Sequence, residues 1–433
     1  MRFWLALGLL ALLSPALVAA DNPELAGKSE PLFGVRNATL AQVREAGVSW
    51  CPGPVIAWGM IEPRRGSCNW SELDRAINSA GEAGIQLIPI LACSSPWGCG
   101  PEVAWTGNNP RALRQSGYPQ EERAWRRFVC AVVERYDGDG VDDAPRLVRP
   151  IKYWQMEREL PRTWVGKPAQ LVSYLRMTRE AIKATDARAT VVVGGLAPNA
   201  LYACALADKA IPELSLRGRP VDRASLAQNP LFREQKALVE AVLGPAAPYY
   251  DVLDVHLYGR YASIPAVVGW LDGHPGVKGK PKWCLQGGGP VEVFDGAASE
   301  QDVANHVAKW YTMLAIAGVQ RGAWTMLPEP GAEFNETALL QANGDKRLAF
   351  PAYRVAMARI SGFTKVTVDS RPPGPMVVHF NGPSMNVHIA WSDAARAVDV
   401  SQLAIKRVTD AEGKPVATRR GMLDLGPAPF FFE

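Results

Sequence analysis

The sequence has no long hydrophobic run beyond its first 20 residues, so we expect no membrane span in the mature chain. Residues 1–20 contain Arg2, an apolar stretch from Phe3 to Leu13 and the small residues Val18-Ala19-Ala20 before Asp21. This is the layout of a secretory signal peptide. We expect cleavage after Ala20 and a secreted or periplasmic protein, and an uncleaved anchor is the alternative interpretation.

The sequence also lacks the features that nucleic acids and structural metals require. The net charge is only +4 and the basic residues are scattered, whereas a protein that binds nucleic acid usually carries a basic stripe. No CxxC pair and no His-rich cluster is present, so a structural zinc site is not expected. We therefore predict no nucleic-acid partner, no metal and no cofactor.

One acidic loop, Asp137 to Asp143, invites a calcium interpretation. An EF-hand needs an oxygen ligand at the fifth loop position and a Glu at the twelfth, and this loop has neither. A solvated Asp/Gly turn is the better interpretation.

Cysteine is scarce and odd in number, which is unusual for an exported chain because at least one thiol then stays unpaired or pairs between chains. The seven are Cys51, Cys68, Cys93, Cys99, Cys130, Cys204 and Cys284. Cys93 with Cys99, across a short loop, and Cys51 with Cys68 are the candidate disulfides. Buried free thiols are the alternative.

Strand-like and helix-like segments alternate through most of the chain. Eight apolar, strand-length segments are separated by amphipathic helical ones: residues 31–35, 48–51, 85–91, 151–156, 190–193, 252–258, 282–286 and 322–327. Eight such steps predict an α/β protein with a (β/α)8 TIM barrel. From Thr364 onward short strands alternate with turns. We therefore predict a barrel over residues 21–362 and a small, β-sandwich-like, all-β domain over residues 363–433.

The fourth strand-like segment, Ile151 to Pro161, ends abruptly on charged residues. In a barrel this places Glu157 and Glu159 at the carboxyl end of a strand, where (β/α)8 enzymes perform chemistry. A buried strand followed by a charged loop is the structural alternative.

Several stretches together resemble the clan A retaining glycoside hydrolases, secreted (β/α)8 enzymes of the β-xylosidase and endoglycosidase type. The matching stretches, in the expected order, are WGMIEPRRGSCNWSELD, GIQLIPIL followed by Trp97, YWQMEREL, AIKATDARATVVVGG, VLDVHLYG, KPKWCLQGG and GAWTML. They cover nearly all of residues 31–360. Each stretch is weakly specific alone, and the set is fairly specific.

The resemblance implies a general acid/base Glu at the end of the fourth strand and a nucleophilic Glu at the end of the seventh. Glu159 matches the acid/base, but the nucleophile position holds Gln286. An amide is a poor nucleophile and carries no charge to stabilise an oxocarbenium ion. Two further departures are Arg158, where the family has an Asn that contacts the sugar, and Pro52, where it has an Arg.

The resemblance also implies several sugar-contacting side chains. His256 and Tyr258 match the sixth-strand HxY pattern, and Trp324 matches the eighth-strand aromatic platform. Trp97 and Trp164 are loop aromatics suited to stacking on sugar rings, with packing of the loops as the alternative. A structural role is the alternative for His256.

Two other carboxylates need an interpretation. Glu62 fits a capping or loop role better than catalysis. Glu157, two residues before Glu159, either shares its face of the strand and raises its pKa or pairs with Arg158 or Arg162.

Three functional hypotheses follow. The first is a degenerate glycosidase fold that binds an oligo- or polysaccharide without hydrolysing it by the usual route. The second is an active glycosidase in which Glu292, Asp295 or Glu329, or an acetamido group of the substrate, replaces the missing nucleophile. The third is a scaffold or interaction protein that uses the barrel without any sugar.

Overall fold

The computed structural model describes residues 31–103, 115–329, 334–400 and 405–433. The predicted signal peptide lies outside the described residues. Within these ranges, no helix combines the length and the apolar character that crossing a membrane requires.

Eight parallel strands form the path of the central sheet, and a ninth short strand, Leu257–Tyr258, pairs with the seventh of them. The eight are β1 (Phe33–Arg36), β2 (Trp50–Ala57), β3 (Gln86–Ala92), β4 (Tyr153–Leu160), β5 (Thr190–Leu196), β6 (Val252–Val255), β7 (Lys282–Gly288) and β8 (Arg321–Thr325). The hydrogen-bonded order is β1-β8-β7-β6-β5-β4-β3-β2, so β1 and β2 are the two ends of the sheet. A sheet in this order that curls until β1 and β2 meet is a nearly closed barrel.

At least one helix follows each strand, and after β5 the buried helix Pro198–Ala207 comes before the longer one. The main helices are α1 (Leu40–Ala46), α2 (Ser71–Glu82), α3 (Glu122–Tyr136), α4 (Pro168–Thr185), α5 (Pro230–Leu243), α6 (Ile264–Asp272), α7 (Glu300–Ile316) and α8 (Ala349–Ile360). Their buried faces cover the outside of the sheet. Strands covered on both faces carry continuous apolar runs, which is why β3 and β5 were visible in the sequence as unbroken apolar segments.

The inside of the barrel is filled at its amino end by aromatic rings around one arginine. The guanidinium of Arg321, at the start of β8, lies 5.1, 4.7 and 4.5 Å from the ring centres of Trp50, Tyr153 and Trp283. Arg321 is only 3% exposed. These rings close the amino end, so open space in the barrel lies toward the carboxyl ends of the strands.

The C-terminal region is all β. Its strands are β9 (Lys365–Ser370), β10 (Met376–Gly382), β11 (Met385–Trp391), β12 (Arg396–Asp399), β13 (Val408–Thr409), β14 (Met422–Leu425) and β15 (Phe430–Phe432). Five form an antiparallel sheet in the order β9-β10-β11-β15-β13, and β12 pairs with β14. A small apolar cluster that includes Ala390, Leu423, Leu425 and Phe432 joins the two sheets.

The predicted fold class, a (β/α)8 barrel followed by a small all-β domain, is confirmed. The last barrel helix ends at Ile360 and the C-terminal sheet begins at Lys365. The segment between Cys204 and Asn229 contains a short hairpin and the helix Arg223–Gln228. The carboxylate of Asp222 caps this helix by accepting from the backbone N–H groups of Ala224 and Ser225.

All seven cysteines are free thiols. The sulfur atoms of Cys93 and Cys99 lie 3.8 Å apart in the core, so the two thiols are neighbours that no disulfide joins. Cys51 is buried and Cys68 is exposed. The structure therefore has the buried free thiols that the sequence left as an alternative, rather than the two candidate disulfides.

Candidate active site

A cavity of about 550 Å³ opens at the carboxyl ends of the strands and extends toward the gap between β1 and β2. Among its polar lining residues are Arg36, Gln155, Arg158, His256, Gln286 and Glu329. The β2 side of the wall includes Pro52, Gly53 and Pro54, where the pairing of β2 with β3 shifts register. Because proline supplies no backbone N–H to a sheet, this bulge interrupts the strand beside the cavity.

A second register shift, in β4, separates the two glutamates that end the strand. Met156 pairs with Val193 on β5 and Glu159 pairs with Gly195, so an extra residue is inserted between them. Glu157 occupies this bulge with a positive φ of 67°. A bulge breaks the two-residue alternation of a strand, so Glu157 and Glu159 need not share a face.

Glu157 is fully buried and points away from Glu159. Its carboxylate accepts hydrogen bonds from the backbone N–H of Cys93, at 2.9 Å, and from the hydroxyl of Ser116. Burial raises its pKa, although these two bonds act in the opposite direction. Of the arginines expected beside Glu157, Arg158 acts on it through its charge, which lowers the pKa of Glu157.

Glu159 lies at the end of β4 and is 4% exposed. Its Oε1 is 2.7 Å from Nδ1 of His256, and its Oε2 accepts from Nε of Arg162. Burial alone would raise the pKa of Glu159, but the hydrogen bond and charge of His256, together with Arg162, lower it to about 2. Glu159 is therefore ionised at neutral pH, whereas a general acid for glycoside cleavage must be protonated.

His256 bridges two buried carboxylates. Its Nε2 lies 3.3 Å from Oδ2 of Asp254 while its Nδ1 meets Glu159. Burial would lower the pKa of His256, but the neighbouring Asp254 and Glu159 outweigh this effect and raise it to about 9. The proton of this cluster therefore resides on the imidazole ring.

Asp254 is held by three donors. Its Oδ1 accepts from the backbone N–H of Leu285, on β7, at 2.8 Å, and its Oδ2 accepts from Nε2 of Gln155, on β4, at 3.2 Å. His256 is the third donor. The cluster therefore joins β4, β6 and β7 inside the barrel.

Gln286 and Arg158, the two residues that depart from the pattern implied by the resemblance, both line the cavity. Glu329, in the loop after β8, lies there too, with Oε2 at 3.5 Å from Nη2 of Arg36. The wall thus offers two arginines, amides and one carboxylate. These are suitable hydrogen-bonding groups for a polyhydroxylated ligand.

Trp324, which was predicted to form an aromatic platform for a sugar, does not line the cavity. The ring is fully buried in the layer between β8 and α7, 5.3 Å from the ring of Trp310, and its Nε1 donates to the backbone oxygen of Thr337. On β8 it is Ala323, the preceding residue, that faces the barrel interior. Neighbouring residues on a strand point to opposite faces, and this one points outward.

The other aromatic candidates pack within the protein. Tyr258 is 1% exposed, with its ring 4.4 Å from that of Phe334 and its hydroxyl 3.4 Å from Oγ1 of Thr325. Trp97 is half-buried and donates from Nε1 to the backbone oxygen of Glu62. Trp164 is 5% exposed and its ring lies 5.1 Å from that of Tyr174. None of the three lines the described cavity.

The remaining carboxylate candidates differ in position. Glu62 has the loop role that was preferred from the sequence, because its carboxylate accepts from Nε1 of Trp58 and from the backbone N–H of Gly66. Asp295 caps a turn by accepting from the backbone of Arg260 and Val291. Glu292 is exposed at the start of a short helix. Of the three proposed substitutes for a nucleophile, only Glu329 lines the cavity.

Sequence reasoning missed Asp254, Gln155 and Arg36. The first two face inward on β6 and β4, and two polar residues within otherwise apolar strands were the available signal, because a buried polar group requires a partner. Arg36 ends the first strand in the same way that Glu159 ends the fourth.

Part of the sequence is similar to known proteins. A family model described as beta-galactosidase matches residues 34–136. Over 93 residues the chain is 28% identical to beta-galactosidase BgaH of Haloferax lucentense, a match that covers 21% of this chain and 13% of that protein. The chain thus spans a small part of the length of this relative.

Solved structures match over almost the whole chain. A family 39 glycoside hydrolase from Bacteroides cellulosilyticus is 14% identical, with a TM-score of 0.65, over 93% of this chain and 81% of that one. A glucosidase from Croceicoccus marinus is 11% identical, with a TM-score of 0.58, over 94% and 97%. The resemblance to the clan A glycoside hydrolases is confirmed, and at these identities the solved structures establish the fold alone.

Proposed function

We propose that this chain binds an oligo- or polysaccharide at the carboxyl end of its barrel and does not hydrolyse it by the retaining mechanism. The observation that carries the proposal is that Gln286, at the end of β7, contributes an amide to the cavity wall. Retaining hydrolysis requires a carboxylate there, which attacks the anomeric carbon and forms a covalent intermediate. An amide forms no such intermediate at a useful rate.

The state of Glu159 supports the same proposal. A general acid must carry a proton that it can give to the leaving oxygen, and its pKa must lie near the working pH. Hydrogen bonds and charge from His256 and Arg162 hold the pKa of Glu159 at about 2. The carboxyl group at the acid/base position is therefore committed to an internal ion pair.

The cavity remains suited to binding. Arg158 and Arg36 supply fixed donor groups, whereas Gln286 supplies an amide that donates and accepts. Sugar hydroxyls need both kinds of partner. We propose that this set orients the saccharide, and that the ligand is encountered outside the cytoplasm if residues 1–20 act as a signal peptide.

Two measurements test the proposal together. Calorimetric titration of the wild-type chain against a panel of plant and bacterial oligosaccharides should detect binding to at least one, with no products released. Because Glu159 is not available as a general acid, the nucleophile is tested on an aryl glycoside whose leaving group departs without protonation. Gln286→Glu should then create hydrolysis of this substrate with retention of anomeric configuration, followed by NMR. Gln286→Asn, which keeps an amide, should create none.

One observation favours a second candidate, an active glycosidase that uses Glu329, because this carboxylate lines the cavity together with Gln286. It predicts that the wild-type chain hydrolyses a saccharide, that Glu329→Gln abolishes turnover and that Gln286→Glu leaves the stereochemistry unchanged. This result would overturn the binding proposal. If neither the wild-type chain nor Gln286→Glu binds or hydrolyses any saccharide, the scaffold hypothesis is favoured instead.

A further inference from the structure

Two histidines stack on one face of the C-terminal sheet, away from the barrel cavity. His379 on β10 pairs directly with His388 on β11 in the antiparallel ladder. Their rings are 4.1 Å apart and inclined by only 9°. Both side chains are half-buried, so the pair is held by the sheet and remains accessible to solvent.

A bulge in the neighbouring strand directs a carboxylate toward this pair. On β9, Val368 pairs with Val378 but Ser370 pairs with Val377, so Asp369 is the inserted residue. Bulges commonly redirect a side chain next to a functional site. Here Oδ2 of Asp369 lies 3.6 Å from Nε2 of His388.

The ring of His379 is oriented by a further residue. Its Nε2 is 2.5 Å from Oδ1 of Asn386, two residues before His388 on β11. An N–H donated to this amide oxygen leaves Nδ1 of the same ring with a lone pair. Histidine ligands to metals are usually fixed by such a hydrogen bond from the second ring nitrogen.

We propose that Asp369, His379 and His388 form a binding site for a divalent transition-metal ion, with Zn²⁺ as the expected occupant. One ligand atom from each of the three side chains lies within 4.8 Å of the others. Bonds of about 2.0–2.2 Å to zinc place tetrahedral ligands roughly 3.4 Å apart, so small side-chain rotations suffice to close the site.

The ligand set selects the metal. Two imidazoles and one carboxylate suit Zn²⁺, Ni²⁺ and Cu²⁺, whereas Mg²⁺ and Ca²⁺ prefer all-oxygen sites. Solvent reaches the cluster, so water completes the coordination. The sequence was not expected to hold a metal site because its histidines are few, but the hairpin from Met376 to Trp391 brings two of the five together.

A bound ion would join three adjacent strands of the C-terminal sheet. A ligand that binds only the folded state stabilises it by RT ln(1 + [L]/Kd), where [L] is the free ligand concentration. The expected effect is therefore a metal-dependent rise in the stability of this domain. The inference is independent of saccharide binding at the barrel, so each can fail without the other.

The test uses the full-length, untagged chain after treatment with EDTA. Calorimetric titration with ZnCl₂ should show one saturable site. Alanine in place of His379 or His388 should weaken binding by about tenfold or more. His274→Ala is the matched control, because this histidine, bonded through Nδ1 to the backbone oxygen of Trp270, lies outside the cluster. It should leave the affinity unchanged.

Electron paramagnetic resonance of the chain loaded with Cu²⁺ gives a second readout. The spectrum should report two imidazole nitrogens in the wild type and one in His388→Ala. Circular dichroism of each variant shows whether the domain remains folded, and Asp369→Asn provides a gentler change that keeps the shape of the side chain. The proposal is overturned if Zn²⁺ shows no saturable binding up to about 1 mM, or if binding survives both histidine substitutions.

Discussion

Nδ1 of His256 lies 2.7 Å from Oε1 of Glu159, inside the barrel and almost completely shielded from solvent. This contact fixes the protonation of both side chains, since each stabilises the charged form of the other. The carboxyl group of Glu159 is ionised, and the imidazole ring of His256 beside it carries the proton. The same contact makes the stability of the fold depend on pH.

We predict that the free energy of unfolding falls as pH rises from about 6.5 to about 9. The pKa of His256 is raised from 6.5 in the unfolded chain to about 9 in the fold, so the protonated ring favours the folded state. Its contribution is fully present below pH 6.5 and is lost as the pH passes through the folded pKa. The shift corresponds to a loss on the order of 3 kcal/mol, which urea unfolding at a series of pH values would measure.

His256→Asn is the control for this prediction. It should remove the pH-dependent loss and lower stability at neutral pH by about 3 kcal/mol or more, since buried Asp254 loses its cationic partner and Glu159 keeps only Arg162. Burial lowers the pKa of Lys309 to about 8, but this lysine titrates in both proteins and cancels in the comparison. Equal pH slopes for the two proteins would contradict the assignment.

We predict that Arg321 holds the amino end of the barrel together. Arg321→Ala should destabilise the fold by about 3 kcal/mol, because it removes desolvated contacts with the rings of Trp50, Tyr153 and Trp283. Arg321→Lys should cost less, because it keeps the charge but loses the planar stack. Denaturant unfolding measures both.

Arg188→Ala is the matched control, because the side chain of Arg188 is 79% exposed. Its effect should stay within about 0.5 kcal/mol. If Arg321→Ala falls in the same range, the buried arginine fills space without stabilising the barrel.

The sequence was sufficient for the fold because the fold follows from repeated local patterns. Each β/α step combines a buried apolar run such as IQLIPIL, in β3, with an amphipathic helix, and eight repeats leave few alternatives. The position of Glu159 was predictable for the same reason, since a charged residue that ends a buried strand lies at the carboxyl end of the barrel.

The orientation of individual side chains was not predictable, because it depends on register. The bulge at Glu157 changes which face the end of β4 presents, and no residue type in YWQMEREL marks it. The stacking of His379 on His388 depends likewise on cross-strand register. Strand alternation allows the side chain of Trp324 to point into the barrel or out of it, depending on which residues of β8 face inward. In the structure Ala323 faces inward and Trp324 faces outward.

We predict that Cys68 is alkylated first by iodoacetamide in the folded chain. It is the one exposed thiol among the seven, all of which lie in described segments. Burial and the nearby charge of Glu62 raise its pKa, so its reaction should be slow at pH 7 and accelerate as the pH rises. Mass spectrometry of peptides after timed labelling would give the order in which the cysteines react.

Unfolding in urea without a reductant should expose the remaining thiols to the reagent. Cys93 and Cys99 provide the sharpest comparison, because their sulfur atoms are neighbours in the core. If these two label only after reduction, the disulfide considered from the sequence forms in the isolated protein and the free-thiol assignment is wrong.

We predict finally that Arg158, rather than the loop aromatic Trp97, determines saccharide affinity. Arg158 lines the cavity, whereas the indole of Trp97 is engaged by the backbone oxygen of Glu62. A charged hydrogen bond to a ligand contributes roughly 1.5–3 kcal/mol, so Arg158→Gln should weaken binding about tenfold or more. Trp97→Phe should leave the affinity unchanged because Trp97 is not part of the cavity wall. Titration of both variants with the oligosaccharide that the wild type binds best would decide between them. The reverse result, with binding lost in Trp97→Phe and kept in Arg158→Gln, would move the saccharide site from the cavity at Gln286 to the loop that follows β3.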